Sequence, residues 1–445
     1  MHWKRKVRAA VSAIALACAF PAAAQLNLPQ LPNPLPAIPV LQTPARLASP
    51  LDAVLNRRDL LDLRKLKIRD LLQQHRRSIE LDPAGEPIVR NRLVVLAPSA
   101  PALEAARAEG FAIERERVLE GIGERVVVLQ TPPGIGTVSA LERLRLLDPK
   151  GEYDFDHIYL AAGWTRSGVA IAQAGDPRPT GAAVRGPTPV TKIGLVDGGV
   201  DLRHPALLAS DIRIHGCAGE LVPDAHGTGV ASLLVGRAAG FSGAAPGAAL
   251  YAADVYCGLP AGGAATALVE ALAWMAREQV PVINISLVGP ANRTLERVIR
   301  TLISRGHLVV AAVGNEGPAA PPLYPAAYPG VIGVTAVDSD RRALPEAARG
   351  PHVAFAAPGA DLAVAATGER GYTTARGTSF AAPIVAGLLA TSANRGASAM
   401  EPAAAQIAVR ALIARAIDLG PPGRDDIYGF GLLGDDLRVD PRTLR

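Results

Sequence analysis

From about residue 190 onward, short apolar runs alternate with stretches of helical spacing. Residues 192–196, 249–255, 280–287, 308–313 and 331–337 are runs of strand length, whereas 229–237, 266–277, 295–304, 379–391 and 404–417 carry the wider period of helices. The run Leu308-Val309-Val310-Ala311-Ala312-Val313 has no polar face. A strand of that kind must be covered on both sides, which predicts an α/β domain over residues 190–445 with a parallel sheet flanked by helices on both faces. In such sheets ligands bind outside the carboxyl ends of the strands.

The preceding stretch reads differently. Strands at 93–96, 112–118, 125–130 and 153–160 and helices at 102–109 and 138–147 follow one another as βαββαβ, the order of a small α+β ferredoxin-like domain over residues 90–165. Leu55, Leu60, Leu61, Leu63 and Leu66 recur among charges and predict a basic amphipathic helix within 51–80, with Arg57, Arg58, Arg64, Lys65, Lys67 and Arg69 as a solvated face. Frequent Pro makes residues 25–50 an extended spacer. Gly, Pro, Ala and Thr make 166–189 a linker open to proteolysis.

At the start, Lys4, Arg5, Lys6 and Arg8 precede an apolar stretch and the small run Ala22, Ala23, Ala24, the pattern of an export signal over residues 1–24 cut after Ala24. The apolar stretch falls short of the roughly 20 residues that a spanning helix needs, and Ala15, Leu16 and Ala17 before Cys18 make a poor lipoprotein site. No later run is long and uncharged enough for stable membrane insertion, so a secreted or periplasmic protein is expected.

Composition narrows the function. With 445 residues, 49% hydrophobic and 20% charged, the chain can bury a substantial core. Its net charge of +5 is carried largely by the four N-terminal cations, so no nucleic-acid partner is expected. Cys217 and Cys257 remain beyond the signal, and in an exported chain they form either a disulfide or two buried free thiols. His204, His215 and His226 recur at a spacing that suits neither helix nor strand ligation, so no metal site is expected there.

Four segments carry candidate chemistry. Asp197 ends the run Ile193-Gly194-Leu195-Val196-Asp197, His226 stands in His226-Gly227-Thr228-Gly229, Ser379 in Gly377-Thr378-Ser379-Phe380-Ala381, and Asn315 in Val313-Gly314-Asn315-Glu316. Each alone is an ordinary strand-end, capping or turn residue. Together they offer a serine, a base to take its proton, a carboxylate to orient that base, and an amide donor for developing negative charge. Ala381 keeps Ser379 out of a G-x-S-x-G elbow.

In this order, and with Asn284-Ile285-Ser286-Leu287 and the closing Gly423 to Gly431 stretch, these segments resemble the subtilisin-like serine proteases over roughly residues 190–435. The resemblance implies a serine endopeptidase with Asp197, His226 and Ser379 as triad and Asn315 in the oxyanion hole. Ser286, Leu287 and Val288 would pair with substrate backbone, and Val313, Gly314 and Leu323 would lie at the pocket for the residue before the scissile bond. It also implies that the ferredoxin-like segment is a propeptide, an intramolecular inhibitor cut away somewhere between Leu160 and Pro189. The substrate would be protein or peptide and no cofactor would be required. Calcium stays open as a structural ion, with Asp201, Asp211, Asp224 and Asp254 scattered and in no recognisable ligand pattern.

Gly198, Phe380, Ile384, Val288, Val313 and Leu323 depart from the family's usual residues, and the last three predict a shallow pocket for small or modest apolar side chains. Glu316 at its mouth could instead attract a cation. The alternative to a protease is a catalytically silent subtilisin-fold binding or docking protein of the cell envelope, which would have no need of all four polar residues.

Overall fold

The computed structural model describes residues 57–165, 191–259, 262–368, 371–393 and 401–444. The expected export signal, Pro-rich spacer and 166–189 linker lie outside those residues, as does the start of the basic helix. The first part comprises α1 (Arg57–Gln74), β1 (Ile79–Leu81), β2 (Pro87–Leu96), α2 (Ala100–Ala108), β3 (Ala112–Leu119), β4 (Glu124–Gln130), α3 (Thr137–Leu147), β5 (Glu152–His157), β6 (Leu160–Ala161) and β7 (Trp164–Thr165). The second comprises β8 (Lys192–Asp197), β9 (Ile212–His215), α4 (Ala225–Val235), the hairpin β10 (Arg237–Ala238) and β11 (Phe241–Ser242), β12 (Ala249–Asp254), α5 (Ala265–Arg277), β13 (Val282–Ile285) and β14 (Leu287–Val288). It continues through α6 (Arg293–Ser304), β15 (Leu308–Ala312), β16 (Ile332–Val337), β17 (Val353–Pro358), β18 (Leu362–Ala365), β19 (Tyr372–Arg376), α7 (Thr378–Ala393) and α8 (Pro402–Ile413).

Seven strands form one sheet in the order β17-β16-β15-β13-β8-β12-β9, every neighbouring pair parallel. Side chains on β15 alternate between two cores. Val309 and Ala311 pack with Leu268, Leu272, Leu295 and Ile299 of α5 and α6, and Val310 and Ala312 with Val230, Leu234, Val385 and Leu389 of α4 and α7. That is why the run has no polar face. Asp197 is the last residue of β8, so its carboxylate is delivered to the carboxyl edge of the sheet.

The smaller sheet has β5, β2, β4 and β3 side by side, all antiparallel, with α2 and α3 on one face. This is the ferredoxin-like order. Along β2, Leu93 and Val95 pack with Leu103, Leu141 and Leu144 of α2 and α3. Val94 and Leu96 turn the other way, into the core that holds α5 and α6. The acids of β5 complete the contact. Thr266 N in the first turn of α5 donates to Asp156 Oδ1 at 2.9 Å, and Arg293 N, opening α6, donates to Asp154 Oδ2 at 2.7 Å. Ala264, the residue preceding α5, has no side chain able to cap it, so the carboxylates supply negative charge to two helix N-termini from another part of the chain. Such a contact contributes about 0.3–2 kcal/mol.

Four differences from the sequence reading have physical causes. The 280–287 run breaks at Ser286 into β13 and β14, which belong to different sheets. Likewise 153–160 divides, because after His157 the chain leaves the small sheet and β6 pairs with β14. β1 and the start of β2 extend the small sheet upstream of residue 90. β9 and β17 to β19 were not expected: β9 is a short edge strand, and Ala-rich runs such as Val353–Pro358 carry little strand propensity of their own. The two cysteines form a disulfide, with Cα atoms 5.2 Å apart.

Candidate active site

Three elements converge at the carboxyl edge of the large sheet. β8 ends in Asp197, α4 carries His226 in its first turn, and α7 begins at Thr378, placing Ser379 at a helix N-terminus. His226 Nδ1 lies 2.8 and 3.0 Å from the two Asp197 carboxylate oxygens, and its Nε2 lies 2.8 Å from Ser379 Oγ. All three residues are buried. Asp197 Oδ1 also accepts from Gly198 N at 2.7 Å. The helix that holds His226 starts where it does because Asp224 caps it, accepting from His226 N and Gly227 N.

Glycine is required where these pieces meet. A Cβ on Gly198 would lie 2.7 Å from Asp224, and one on Gly227 would lie 2.2 Å from Gly198 O, so the aspartate loop and the histidine helix can approach this closely only without side chains. Phe380, an unusual residue for its position, packs its ring 5.0 Å from the His226 ring.

Burial pulls the His226 imidazole toward neutrality, but the Asp197 charge and hydrogen bond outweigh it and hold the group above the ordinary histidine range. Such a base takes a proton readily, and the adjacent hydroxyl can supply it.

The chain itself runs through this site. Ala162 O accepts from Ser379 N at 3.1 Å and from Asn315 Nδ2. Its N–H donates to Ser286 O at 3.2 Å, and upstream Ala161 and Leu160 pair antiparallel with Leu287 and Val288. Downstream, Thr165 and Trp164 pair with Ala375 and Arg376 of β19. A Cβ on Gly163 would lie 2.1 Å from Ser379 Oγ, and one on Gly377 would lie 2.9 Å from both Ala162 O and Asn315 Nδ2. The peptide between Ala162 and Gly163 is thus presented between two strand pairings, with its carbonyl oxygen on two donors and a serine hydroxyl beside it.

Of the residues singled out in the sequence, Asp197, His226, Ser379, Asn315, Ser286, Leu287 and Val288 meet here. Leu323 is buried in the same core as Ala162 and Val288, and Gly314 is bounded by Glu316 and Leu323. Val313 lies in the α5–α6 core instead. Asp201, Asp224 and Asp254 direct oxygens at backbone N–H groups of nearby turns. Among the described residues the one close group of three metal-ligand types is Cys217, Asp254 and Cys257, whose two sulfurs are joined to each other.

Sequence reasoning missed the surroundings of Tyr159. Its side chain is fully buried, its hydroxyl donates to Pro290 O at 2.8 Å, and its carbonyl accepts from Tyr256 Oη at 2.9 Å. It also missed α1. Arg64 is buried rather than solvated, 2.5 Å from Glu86 and 3.9 Å from Glu316, and Lys67 on the same helix adds positive charge felt by Glu316 and His226. Helical spacing reveals a polar face but not what charge will lie opposite it.

Residues 190–431 match the Subtilase family. The chain is 28% identical over 275 residues to the minor extracellular protease Epr of Bacillus subtilis (strain 168), which covers 61% of this chain and 40% of that protein. To subtilisin E of the same strain it is 33% identical over 214 residues, or 45% of this chain and 54% of that protein. The chain therefore spans about half the length of these curated relatives. Fervidolysin from Fervidobacterium pennivorans, described as a keratinolytic enzyme related to subtilisin, superposes with a TM-score of 0.63 at 21% identity, covering 82% of this chain and 62% of that one, a likeness of fold.

The electrostatics give a direct expectation. In a Ser379→Ala chain, nuclear magnetic resonance of the imidazole protons should show His226 titrating above the ordinary histidine range, and Asp197→Asn should lower it, since the charge and hydrogen bond that chiefly oppose burial are then removed. A His226 pKa unmoved by that substitution contradicts the account.

Proposed function

Because the chain belongs to the subtilase family, we propose that it is a serine endopeptidase made as a zymogen, whose first substrate is its own Ala162–Gly163 bond. The observation that carries this reading is the seating of the Ala162 carbonyl on Asn315 Nδ2 and Ser379 N, with Ser379 Oγ in contact with His226 Nε2. Ser379 Oγ attacks the Ala162 carbonyl carbon while His226 takes the hydroxyl proton. Asp197 holds the imidazole in the tautomer that presents Nε2 and stabilises the charge it gains. The oxyanion forms against donors already in place. His226 then gives its proton to the departing Gly163 amine, leaving Ala162 as an ester on Ser379, and water releases it by the reverse sequence. Apart from that water, each group used in these steps belongs to this chain.

The same site hydrolyses other extended peptides once the prosegment has left. Ala162 as the residue before the cut agrees with a preference for small side chains. Residues 57–162 act as the intramolecular inhibitor, and α1 contributes by covering Glu316 with Arg64. Export rests on the sequence of residues 1–24; one relative is named an extracellular protease, and periplasm and medium are both compatible with such a signal.

Turnover of a quenched Tyr-Leu-Ala-Ala-Gly peptide by processed enzyme tests the reading. Asn315→Ala, processed in trans where necessary, should lower kcat about 100-fold to 1000-fold with a smaller change in KM, the size known for removing one such donor. Ser379→Ala should abolish both turnover and labelling by a fluorophosphonate; labelling that survives this substitution contradicts the assignment. A second measurement concerns α1. In the full chain, Arg64→Ala should shorten the lag between the appearance of a Gly163 N-terminus and peptide hydrolysis, on the order of tenfold, because it leaves Glu316 without its buried partner. An unchanged lag removes α1 from the inhibitory contact.

A further inference from the structure

A buried ion pair stands behind the site, outside the four polar residues discussed above. Arg376, the last residue of β19, directs its guanidinium at Glu346, with Nε to Oε1 at 2.6 Å and Nη2 to Oε2 at 3.1 Å, and both side chains are only 8% exposed. Glu346 is also fastened to the opposite loop by its backbone, since Gly317 N donates to Glu346 O at 2.7 Å. Two residues on, Ala348 N donates to Gly314 O at 3.1 Å. The segment 346–348 therefore grips the loop that carries Asn315 on either side of that residue. Through its carboxylate the same segment grips the strand leading into Gly377, Thr378 and Ser379.

We propose that Glu346 and Arg376 are positioning residues that set the separation of the two oxyanion donors, Asn315 Nδ2 on the 314–317 loop and Ser379 N in the first turn of α7. This inference rests on the serine-protease reading of the site. Among the described residues, the direct links between that loop and the start of α7 include two neutral hydrogen bonds, Thr378 N to Asn315 Oδ1 at 3.0 Å and Gly314 N to Thr378 Oγ1 at 3.2 Å. A forked, charge-assisted pair fixes both distance and orientation, which single neutral bonds do not. Buried pairs of this kind add little net stability compared with apolar side chains of similar size. A geometric role is therefore separable from a structural one. Displacements of about 1 Å in groups that contact a transition state can cost about 100-fold in rate.

Two variants test this in the processed enzyme. Arg376→Lys keeps the charge and loses the fork; Glu346→Leu combined with Arg376→Leu removes the pair without leaving a lone buried charge. Rates are taken per active site titrated with an acylating reagent, beside affinity for a peptide boronic acid, which places a tetrahedral oxygen on the oxyanion donors, and thermal midpoints. The expected result is a fall of about 10-fold to 100-fold in kcat with KM held within about twofold. Boronic acid affinity should fall by the same factor, and Arg376→Lys should show it even where the double variant folds poorly. Rates per titrated site equal to wild type, or losses that follow the thermal midpoint while boronic acid affinity is unchanged, overturn the positioning role and leave the protease reading intact. A wild-type enzyme that neither titrates nor turns over peptide overturns both.

Discussion

The carbonyl of Ala162 is shared by a side-chain amide from a loop and a backbone N–H from the start of α7, and that contact dictates where the rest of the chain must run. On either side of that carbonyl the chain pairs with a strand edge, β14 upstream and β19 downstream. The small sheet then has to sit where β5 can feed β6.

Docking uses simple chemistry. A ferredoxin-like sheet covered by helices on one face leaves the other face in need of a partner, and Val94, Leu96 and Val126 find it in the core of α5 and α6. Asp154 and Asp156 add the polar counterpart by accepting from Arg293 N and Thr266 N at two helix N-termini. Burial pushes the Asp156 carboxyl upward, and the Thr266 amide and hydroxyl and the Arg92 charge work against it. The same contacts that seat the small sheet therefore brace the helical layer behind the active site.

Much of this was legible in the residues. Continuous apolar runs announce strands buried on both faces, and Asp197, His226, Asn315 and Ser379 fall at the ends of such runs or at helix starts. The order βαββαβ needs only local periodicity. What local pattern could not carry is partnership across the fold. Nothing near Arg64 indicates that Glu316 will face it, and the Arg376–Glu346 pair joins residues thirty positions apart. Tyr159 looks like one more apolar position in a strand until its hydroxyl meets Pro290 O. The strand breaks at Ser286 and after His157 were hidden for the same reason, since each is set by the partner that the next residues find and not by a turn signal in the sequence.

The central claim is that this chain holds its own Ala162–Gly163 peptide bond in the pose of a substrate and cuts it. The intact mass of purified full-length protein, wild type beside Ser379→Ala, tests that most directly. The account predicts two wild-type fragments, the larger beginning at Gly163, and an uncut Ser379→Ala chain. A first cut elsewhere in the wild type, or the same cut in the variant, contradicts it.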